Sequence, residues 1–543
     1  MLALWLAPAI MLAQGIEITS TGSIACSGAA TIEISNGSFI NNGTYTKGAE
    51  TFTMSGATTP REISGSALSG FNNLTLSNTA GVSIVVNTPV TVSGTLTNSV
   101  GAAGLVLKSD ATGYGSLIQS TASVQGTAER QITATTWTEW NDGWHLLSSP
   151  VAAQAISGDW TPAGEGNDYD FYAWSESATS DNWLNQKVGG NGITAFVPGQ
   201  GYLVAYEQTD VKAFAGVLNV SAVSPTGLTH TTGNDYAGWH LAGNPFSSAI
   251  NWNTGTWTKT NLGANAKIWA EADKSYKDVT SDYNYIIPAQ SGFMVYVNES
   301  ATGALTIPAD ARVHNTLNWL KSVPEGLLVL TARETEGNSA QETLIRFNGS
   351  ASIGFDPEYD SKFMAGFAPV LYTIAEGSQL SCNTLPEIGS GRIIQMGFVK
   401  NNASSFSIEL SGENQPQGFN VYLTDKKTGQ VTALTTNPVY HFVSAEGDDA
   451  SRFTLHFSTL GVADTPAGFR PGIYAVGKSV RVSINPLNTT DIHVRSITGQ
   501  LLRQCKVNGD SSVVIDLSCF PAGVYVISVT DGTSVGSSKV ILK

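Results

Sequence analysis

Two loops of this sequence carry closely spaced acidic residues whose oxygen atoms could bind a metal ion. The two sets are Glu165, Asp168 and Asp170, and Asp356, Glu358 and Asp360. Carboxylates at alternate positions are typical ligands of calcium. Neither set has the EF-hand spacing or a glycine at a sharp turn, so solvated loop charge is the alternative interpretation. The sequence therefore predicts no obligatory cofactor and leaves calcium at the second set as a hypothesis.

The residue patterns of common catalytic sites are missing from the sequence. None of the seven His lies in a His-Glu-x-x-His pattern, and no Gly-x-Ser-x-Gly turn or phosphate-binding glycine loop occurs. His145 and His240 each follow a Trp at equivalent places in a repeat, which favours a structural role. Glycosidase chemistry needs only two carboxylates at a set separation, so a carbohydrate-active enzyme stays an alternative function. No catalytic residue is predicted.

Tryptophan is concentrated in one third of the chain, and Trp side chains can stack on sugar rings or anchor protein partners. Eleven of the twelve Trp lie between Trp137 and Trp319. Three of them lie in stretches rich in Asn, Thr and Gly and are predicted to be exposed, as possible stacking residues for a ligand: Trp183, Trp252 and Trp257. Four others recur in both copies of a repeat, which favours a role in packing: Trp144, Trp174, Trp239 and Trp269.

An internal repeat organises this Trp-rich region. Gly143-Trp-His-Leu146 returns as Gly238-Trp-His-Leu241, 95 residues later, and Trp174-x-Glu returns as Trp269-x-Glu at the same offset. Matches in the same order at nearly constant spacing indicate a duplication. The sequence predicts one β-rich domain over 137–312, built from copies at 137–225 and 232–312.

Residues 15–130 alternate apolar and polar residues in short runs separated by Asn and Gly. This period of two predicts strands throughout. Strands this short suit a β-solenoid, in which each coil buries its inward side chains against its neighbours. A β-sandwich has the same alternation and is the alternative.

The rest of the chain is also predicted to be β-structure. Residues 316–460 read as a β-sandwich, with a hairpin that turns at Asp425–Gly429. Residues 461–472 have the Gly and Pro content of a linker. The last 70 or so residues contain short strands and two cysteines, Cys505 and Cys519. A hairpin turning at Asn508–Asp510 would set Cys505 opposite Ile515, so a disulfide to Cys519 is not favoured.

The C-terminal segment, 473–543, resembles the type A sorting domain of the type IX secretion system, found in secreted proteins of Bacteroidota. The resemblance rests on turn and strand-start residues and on the last residue: Asn485, Pro486, Gly499, Pro521, Gly523, Tyr525 and Lys543. It implies two partners, an outer-membrane translocon that recognises this domain and a surface sortase that cuts near 461–472. It also implies an Ig-like sandwich and attachment of many members to lipopolysaccharide.

Charge and hydropathy limit the other partners. The chain has 28 Lys and Arg against 43 Asp and Glu, a net charge of −15, which is the wrong sign for binding nucleic acid. Residues 1–13 are apolar, too short to span a membrane, and predict a signal peptide at 1–14. A buried terminal strand or helix is the alternative, and the missing basic residues leave the true start codon open. No later segment has 18 consecutive apolar residues, so no transmembrane span is predicted.

These observations predict a multidomain all-β protein with a solenoid-like or sandwich segment, a duplicated Trp-containing domain, a β-sandwich and a small C-terminal sandwich. We expect it to pass through the periplasm and to be secreted or attached to the outer membrane. The expected function is adhesion, or binding of polysaccharide or protein, without catalysis. A carbohydrate-active enzyme and a structural surface-layer or matrix component are the alternatives.

Overall fold

The computed structural model describes most of the chain as strands. The described ranges are 15–134, 141–299, 301–314, 326–389, 392–411, 418–459, 472–483, 490–507, 512–530 and 535–542. Across these ranges no α-helix occurs, and none of the short 3-10 helices could cross a membrane. The all-β prediction is confirmed. The predicted signal peptide and the predicted linker up to residue 471 lie outside these ranges.

The chain divides into two compact units. The larger unit comprises Met1–Ile388, Ile394–Pro416 and Leu434–Thr454. The smaller unit comprises Gly389–Ile393, Gln417–Ala433 and Leu455–Lys543.

The first part of the larger unit is a parallel β-solenoid. Its strands β1 to β17 are, in chain order, Gly15–Ile18, Ser23–Ala25, Thr31–Ser35, Ser38–Asn41, Thr44–Thr46, Thr51–Ser55, Arg61–Ser64, Ser69–Phe71, Asn73–Leu76, Val82–Ile84, Pro89–Val92, Leu96–Asn98, Leu105–Leu107, Ser109–Asp110, Gly113–Tyr114, Ser116–Gln119 and Gln125–Ile132. Successive coils stack in parallel: Gly15 pairs with Ser38, 23 residues on, and Arg61 with Val82, 21 residues on. Parallel stacking at this spacing is the arrangement of a solenoid, and it excludes the sandwich alternative for this segment.

Apolar residues at alternate positions fill the solenoid interior because each coil places the same strand position on the inner face. Ile34, Met54 and Leu76 pair in register on three successive coils, and each is at most 1% exposed. Phe52 and Phe71 lie beside this column with ring centroids 4.9 Å apart. The alternation read from the sequence is therefore the inward face of the coils.

The duplicated region follows, with strands β18 to β31. They are His145–Ser148, Phe171–Trp174, Trp183–Asn185, Gly201–Val204, Asp210–Val217, Trp239–Gly243, Ala249–Asn251, Thr258–Thr260, Ala266–Ala270, Ser275–Val279, Ile286–Ile287, Gly292–Tyr296, Ala304–Thr306 and Arg312–Val313. Each copy forms a four-stranded sheet, in the order β18-β21-β19-β20 and then β23-β29-β26-β27. Because equivalent strands occupy equivalent places, the sequence repeat corresponds to a structural one. Strand β22 pairs antiparallel with β17 and extends the solenoid sheet.

The next strands, β32 to β42, follow in the order of the chain. They are Leu328–Glu334, Ala340–Phe347, Ser361–Lys362, Val370–Ala375, Ser378–Leu385, Ile393–Val399, Ser405–Leu410, Phe419–Asp425, Gln430–Ala433, Val439–Val443 and Phe453–Thr459. In the larger unit they pair in the order β37-β35-β36-β33-β32-β38-β41. The ring centroids of Phe398 on β37 and Phe406 on β38 are 5.1 Å apart, although four strands lie between β37 and β38 in the sheet. The sheet therefore folds over so that its two ends face each other, as in a sandwich.

The smaller unit contains the predicted hairpin and the C-terminal domain. The hairpin pairs β39 with β40, and Asp425 lies opposite Gln430, as predicted. Strands β43 to β49 are Gly472–Val476, Ser479–Ser483, Thr490–Ser496, Leu501–Val507, Ser512–Asp516, Gly523–Thr530 and Val535–Leu542. They form sheets of three and four strands around a shared apolar core.

The predicted hairpin between Cys505 and Cys519 is wrong. Strand β46, which holds Cys505, pairs with β45, whereas β47 pairs with β44 in the other sheet. Cys505 lies opposite Ile492, and all four cysteines are free thiols. A period of two identifies the strands but does not say which neighbour each strand pairs with.

Candidate binding site in the duplicated tryptophan-rich domain

The two copies of the repeat contact each other reciprocally through their recurring Trp residues. The Trp174 Nε1–H donates to the carbonyl oxygen of Trp239 at 2.6 Å. The equivalent indole, Trp269, donates to the carbonyl oxygen of Trp144 at 2.9 Å. The two donors, Trp174 and Trp269, are 95 residues apart, and so are the two acceptors, Trp144 and Trp239. Each copy thus gives to the other the bond that it receives, so the copies are related by an approximate two-fold axis. The packing role favoured for these four Trp residues agrees with this geometry.

The backbone contacts between the copies follow the same symmetry. The Ser148 N–H donates to the Gln290 carbonyl at 2.9 Å, and the Gly243 N–H donates to the Gly199 carbonyl at 2.8 Å. Gly201 lies where an added Cβ would come within 2.6 Å of the Leu241 side chain. A glycine is required there because the two sheets approach so closely.

A buried carboxylate, Glu176, ties the first copy to the segment that precedes Trp239. It is 3% exposed and accepts hydrogen bonds from the N–H groups of Thr231 at 2.5 Å and Gly238 at 2.9 Å. The hydroxyls of Thr229 and Thr231 donate to its other oxygen. Burial acts to raise the pKa of Glu176, but these four donors outweigh it and the pKa is lowered. Glu176 is therefore an ionised structural acceptor.

The equivalent carboxylate, Glu271, has different partners and borders a cleft. Its Oε1 lies 2.7 Å from His145 Nδ1 and 3.6 Å from Arg130. Burial acts to raise the pKa of Glu271, but His145 and Arg130 outweigh it and the pKa is lowered. The cleft has a volume of about 420 Å³ and is lined by residues that include Asp110 and Lys277. It lies between the solenoid and the second copy of the repeat.

Trp183 forms part of an aromatic cluster at the surface of the first copy. We use aromatic cluster for Trp174, Trp183 and Tyr236. The rings of Trp183 and Tyr236 each meet that of Trp174 edge-on, with centroids 4.7 Å and 5.4 Å from it. Trp183 is half-buried, and Tyr236 is 37% exposed. Nothing in the sequence placed Tyr236 beside these indoles, because it lies in the loop just before β23, far along the chain from both of them.

The predicted exposure of Trp252 is wrong. Its side chain is 1% exposed, and its Nε1–H donates to the Ala264 carbonyl at 2.8 Å. Trp257 is half-buried against it, with the ring centroids 4.9 Å apart. Lys259 Nζ lies 3.6 Å from the Trp252 ring centroid, and burial lowers the pKa of this lysine to about 8. Lys259 therefore covers the Trp252 indole, which the sequence predicted to be open to a ligand.

The structure does not bring the predicted calcium ligands together. Asp360 is 1% exposed, and its two oxygens accept the backbone N–H groups of Thr384 and Asp356 at 2.6 and 2.8 Å. Burial raises the pKa of Asp360 to about 6. Within the described ranges, no three His, Cys, Asp or Glu side chains, Glu358 included, are placed to hold a metal ion. Asp360 thus binds one backbone N–H of its own loop and one of strand β36.

The sorting-motif residues shape turns and one core face of the C-terminal sandwich. Gly499 has a φ of 89°, which suits glycine, at the turn between β45 and β46. The hydroxyl of Tyr525 donates to the Pro521 carbonyl at 2.7 Å, just before Gly523 begins β48. The remaining motif residues lie outside the described ranges: Asn485, Pro486 and Lys543.

Comparison with known proteins identifies the class. Residues 476–543 match the family described as Secretion system C-terminal sorting domain. The chain is thus a secreted or cell-surface protein with a sorting domain of the type IX secretion system, as the motif predicted. Residues 41–335 and 327–457 match a second family, and the chain belongs to it: Domain of unknown function (DUF8693).

One similar curated protein is named Minor fimbrium subunit Mfa5, from Porphyromonas gingivalis. It is 24% identical over 419 residues, which is 68% of this chain and 33% of that protein. The chain therefore spans about one third of the length of this relative. A solved structure titled Biofilm associated protein - BSP domain aligns over 80% of this chain and 98% of its own, at 10% identity and a TM-score of 0.13. A score this low carries no argument about the fold.

Proposed function

We propose that this chain is an adhesion protein of the bacterial surface that binds polysaccharide or protein through its duplicated Trp-rich domain, without catalysis. The sorting domain supports export, and a relative named as a fimbrium subunit supports a role in attachment. The proposal rests on one structural observation, the partly exposed aromatic cluster of Trp174, Trp183 and Tyr236. Aromatic rings held rigidly at a surface supply large contact area at low entropic cost.

Two carboxylates at equivalent positions of the repeat, Glu176 and Glu271, are held by structural contacts. Glu176 accepts four hydrogen bonds from the protein, and Glu271 is balanced by His145 and Arg130. The pKa of each is lowered, whereas a general acid needs a raised pKa. These two groups are therefore unsuited to protonate a leaving group.

The sorting domain indicates the export route of the protein and the partners that it meets on that route. We infer passage through the periplasm, recognition of 473–543 by the translocon, and cleavage by the surface sortase near 461–472. The remaining domain limits are proposed at 15–130, 137–312 and 316–460. Attachment to the outer membrane through lipopolysaccharide would display the duplicated domain to solvent.

Binding to arrayed polysaccharides and arrayed proteins tests the proposed activity. The secreted protein is compared with Trp183→Ala and with Trp257→Ala, the same change at a ring that packs against Trp252 and Lys259. We expect Trp183→Ala to weaken binding at least tenfold, which corresponds to about 1.4 kcal/mol, and Trp257→Ala to leave it nearly unchanged.

Other outcomes would contradict the proposal. Equal binding by the wild type and Trp183→Ala would remove the aromatic cluster from the site, and loss with Trp257→Ala alone would place the site there. Release of products from a polysaccharide panel would indicate the enzyme alternative. Self-association without binding to either panel would indicate a structural matrix component.

A further inference from the structure

A lysine and an aspartate lie in contact, fully enclosed, between two strands of the second copy. Lys267 on β26 and Asp278 on β27 are directly opposite each other in the antiparallel pair. Lys267 Nζ is 2.7 Å from Asp278 Oδ1, and the two side chains are only 1% and 3% exposed. An ion pair removed from water to this degree is costly, because each charge loses its hydration.

The fold does not require this pair. In the first copy the equivalent strands β19 and β20 pair in the same way, with Tyr172 opposite Asn185 at the corresponding position. That copy builds the same four-stranded sheet without any buried charge at this place. The lysine and the aspartate are thus a specific feature of the second copy and not a consequence of the repeat.

The surroundings hold the two groups in a fixed geometry. The hydroxyl of Ser361 donates to Asp278 Oδ1, and the ammonium of Lys267 donates to the hydroxyl of Ser381. The ring of Trp239 closes the site, with its centroid 5.6 Å from Lys267 Nζ. An amine and a carboxyl group fixed in contact, away from competing water, have the proximity that favours reaction between them.

We propose that Lys267 and Asp278 form an intramolecular amide bond. A proton first passes from Nζ to the carboxylate along their hydrogen bond, which leaves a neutral amine and a neutral acid in a site that hydrates neither charge. The Nζ lone pair then attacks Cγ of Asp278. The C–O bond to the hydroxyl breaks, and the hydroxyl leaves with a second proton from Nζ as one molecule of water. No oxidant, reductant or other reactant is consumed.

The bond joins β26 and β27 covalently at the centre of their hairpin. It replaces a buried ion pair by a neutral amide, so the cost of desolvating two charges disappears. It also prevents the hairpin from opening when the chain is pulled or partly unfolded. A surface protein that resists force or proteolysis would benefit from such a link.

Tryptic mapping of the purified full chain tests the bond directly. Trypsin cannot cut after an acylated lysine, so peptide 260–274 should stay joined to peptide 278–312, with a mass lower than their sum by one water, about 18 Da. We expect this joined species as the main product of the region in the folded protein. Cleavage after Lys267 that accounts for the whole region, with both peptides separate, would overturn the proposal.

Two variants control the assignment. Lys267→Arg keeps a positive charge and hydrogen-bond donors but lacks a nucleophilic amine, so the joined species should vanish. Lys277→Arg changes the neighbouring lysine, which pairs with Asp273 and is partly exposed, and should leave the joined species intact. A joined species that persists in Lys267→Arg would also overturn the proposal. The wild-type map decides the question even if Lys267→Arg fails to fold.

Discussion

At the scale of single residues, charged groups in the duplicated domain serve the structure in unequal ways. Glu176 is enclosed and accepts four hydrogen bonds, whereas its equivalent Glu271 is 42% exposed and lies beside His145 and Arg130. The repeat thus keeps the residue type at both positions while its surroundings differ. The two positions offer a matched pair for measuring what enclosure contributes.

We expect Glu176→Gln to destabilise the protein by about 2–3 kcal/mol, because a charged acceptor of several hydrogen bonds is replaced by a neutral amide that brings its own N–H donors. Glu271→Gln should cost less, since water can compensate at the exposed carboxylate. Chemical denaturation followed by Trp fluorescence measures both. Equal losses, or a larger loss for Glu271→Gln, would contradict the roles assigned to these residues.

The sequence could predict the role of a residue only where that role follows from a pattern or repeat in the sequence itself. The recurrence of Trp174 and Trp269 indicates packing, and each makes the same hydrogen bond to the other copy. The polar neighbours of Trp252 indicate exposure, but its ring is buried beside Lys259 and Phe293, the latter 41 residues further along the chain. No short pattern indicates that Lys267 and Asp278 meet, because their contact depends on the register of β26 and β27.

Among the secondary-structure elements, the β-solenoid and the segment that follows the second copy are joined by hydrogen bonds to one histidine. The two ring nitrogens of His314, which follows β31, lie 2.8 Å from the hydroxyls of Thr91 and Ser116 on the solenoid. Burial lowers the pKa of His314 to about 4. A neutral imidazole suits these two hydroxyls, since one nitrogen donates and the other accepts.

This contact predicts a pH dependence of stability. In the unfolded chain His314 takes up a proton near pH 6.5, but in the folded chain only near pH 4. At His314 the unfolded state therefore binds more protons between these values, so the contribution of this residue to stability should fall as the pH falls from about 6.5 to 4. Relative to the wild type, His314→Gln should gain in melting temperature as the pH falls over this range, and the exposed His441→Gln should match the wild type. Parallel curves for His314→Gln and the wild type would contradict the prediction.

Strands were predictable at this scale, but their pairing was not. Alternation of apolar and polar residues marks Phe453, Leu455 and Phe457 as an inward face, and all three are buried. The same alternation could not choose between solenoid and sandwich for 15–130. That choice depends on parallel pairing between residues more than 20 positions apart, such as Gly15 and Ser38. The mistaken hairpin at Cys505 has the same cause.

At the scale of the whole molecule, the chain combines a sorting domain with a body that belongs to a different family. The sorting domain was predictable because its turn residues, Gly499 and Pro521 among them, are fixed by local geometry and sequence order. The reciprocal packing of the two copies could not be predicted from the sequence, because it depends on contacts between residues that are 65 and 125 positions apart.

We expect the body of the protein to reach the cell surface because of its C-terminal domain. Deletion of 473–543 in the native bacterium, followed by cell fractionation and mass spectrometry of the mature C-terminus, measures this dependence. We predict that the full chain is found at the surface or in the medium with a new C-terminus within 461–472, and that the truncated chain accumulates in the periplasm. Surface display of the truncated chain at the level of the full chain would contradict this account.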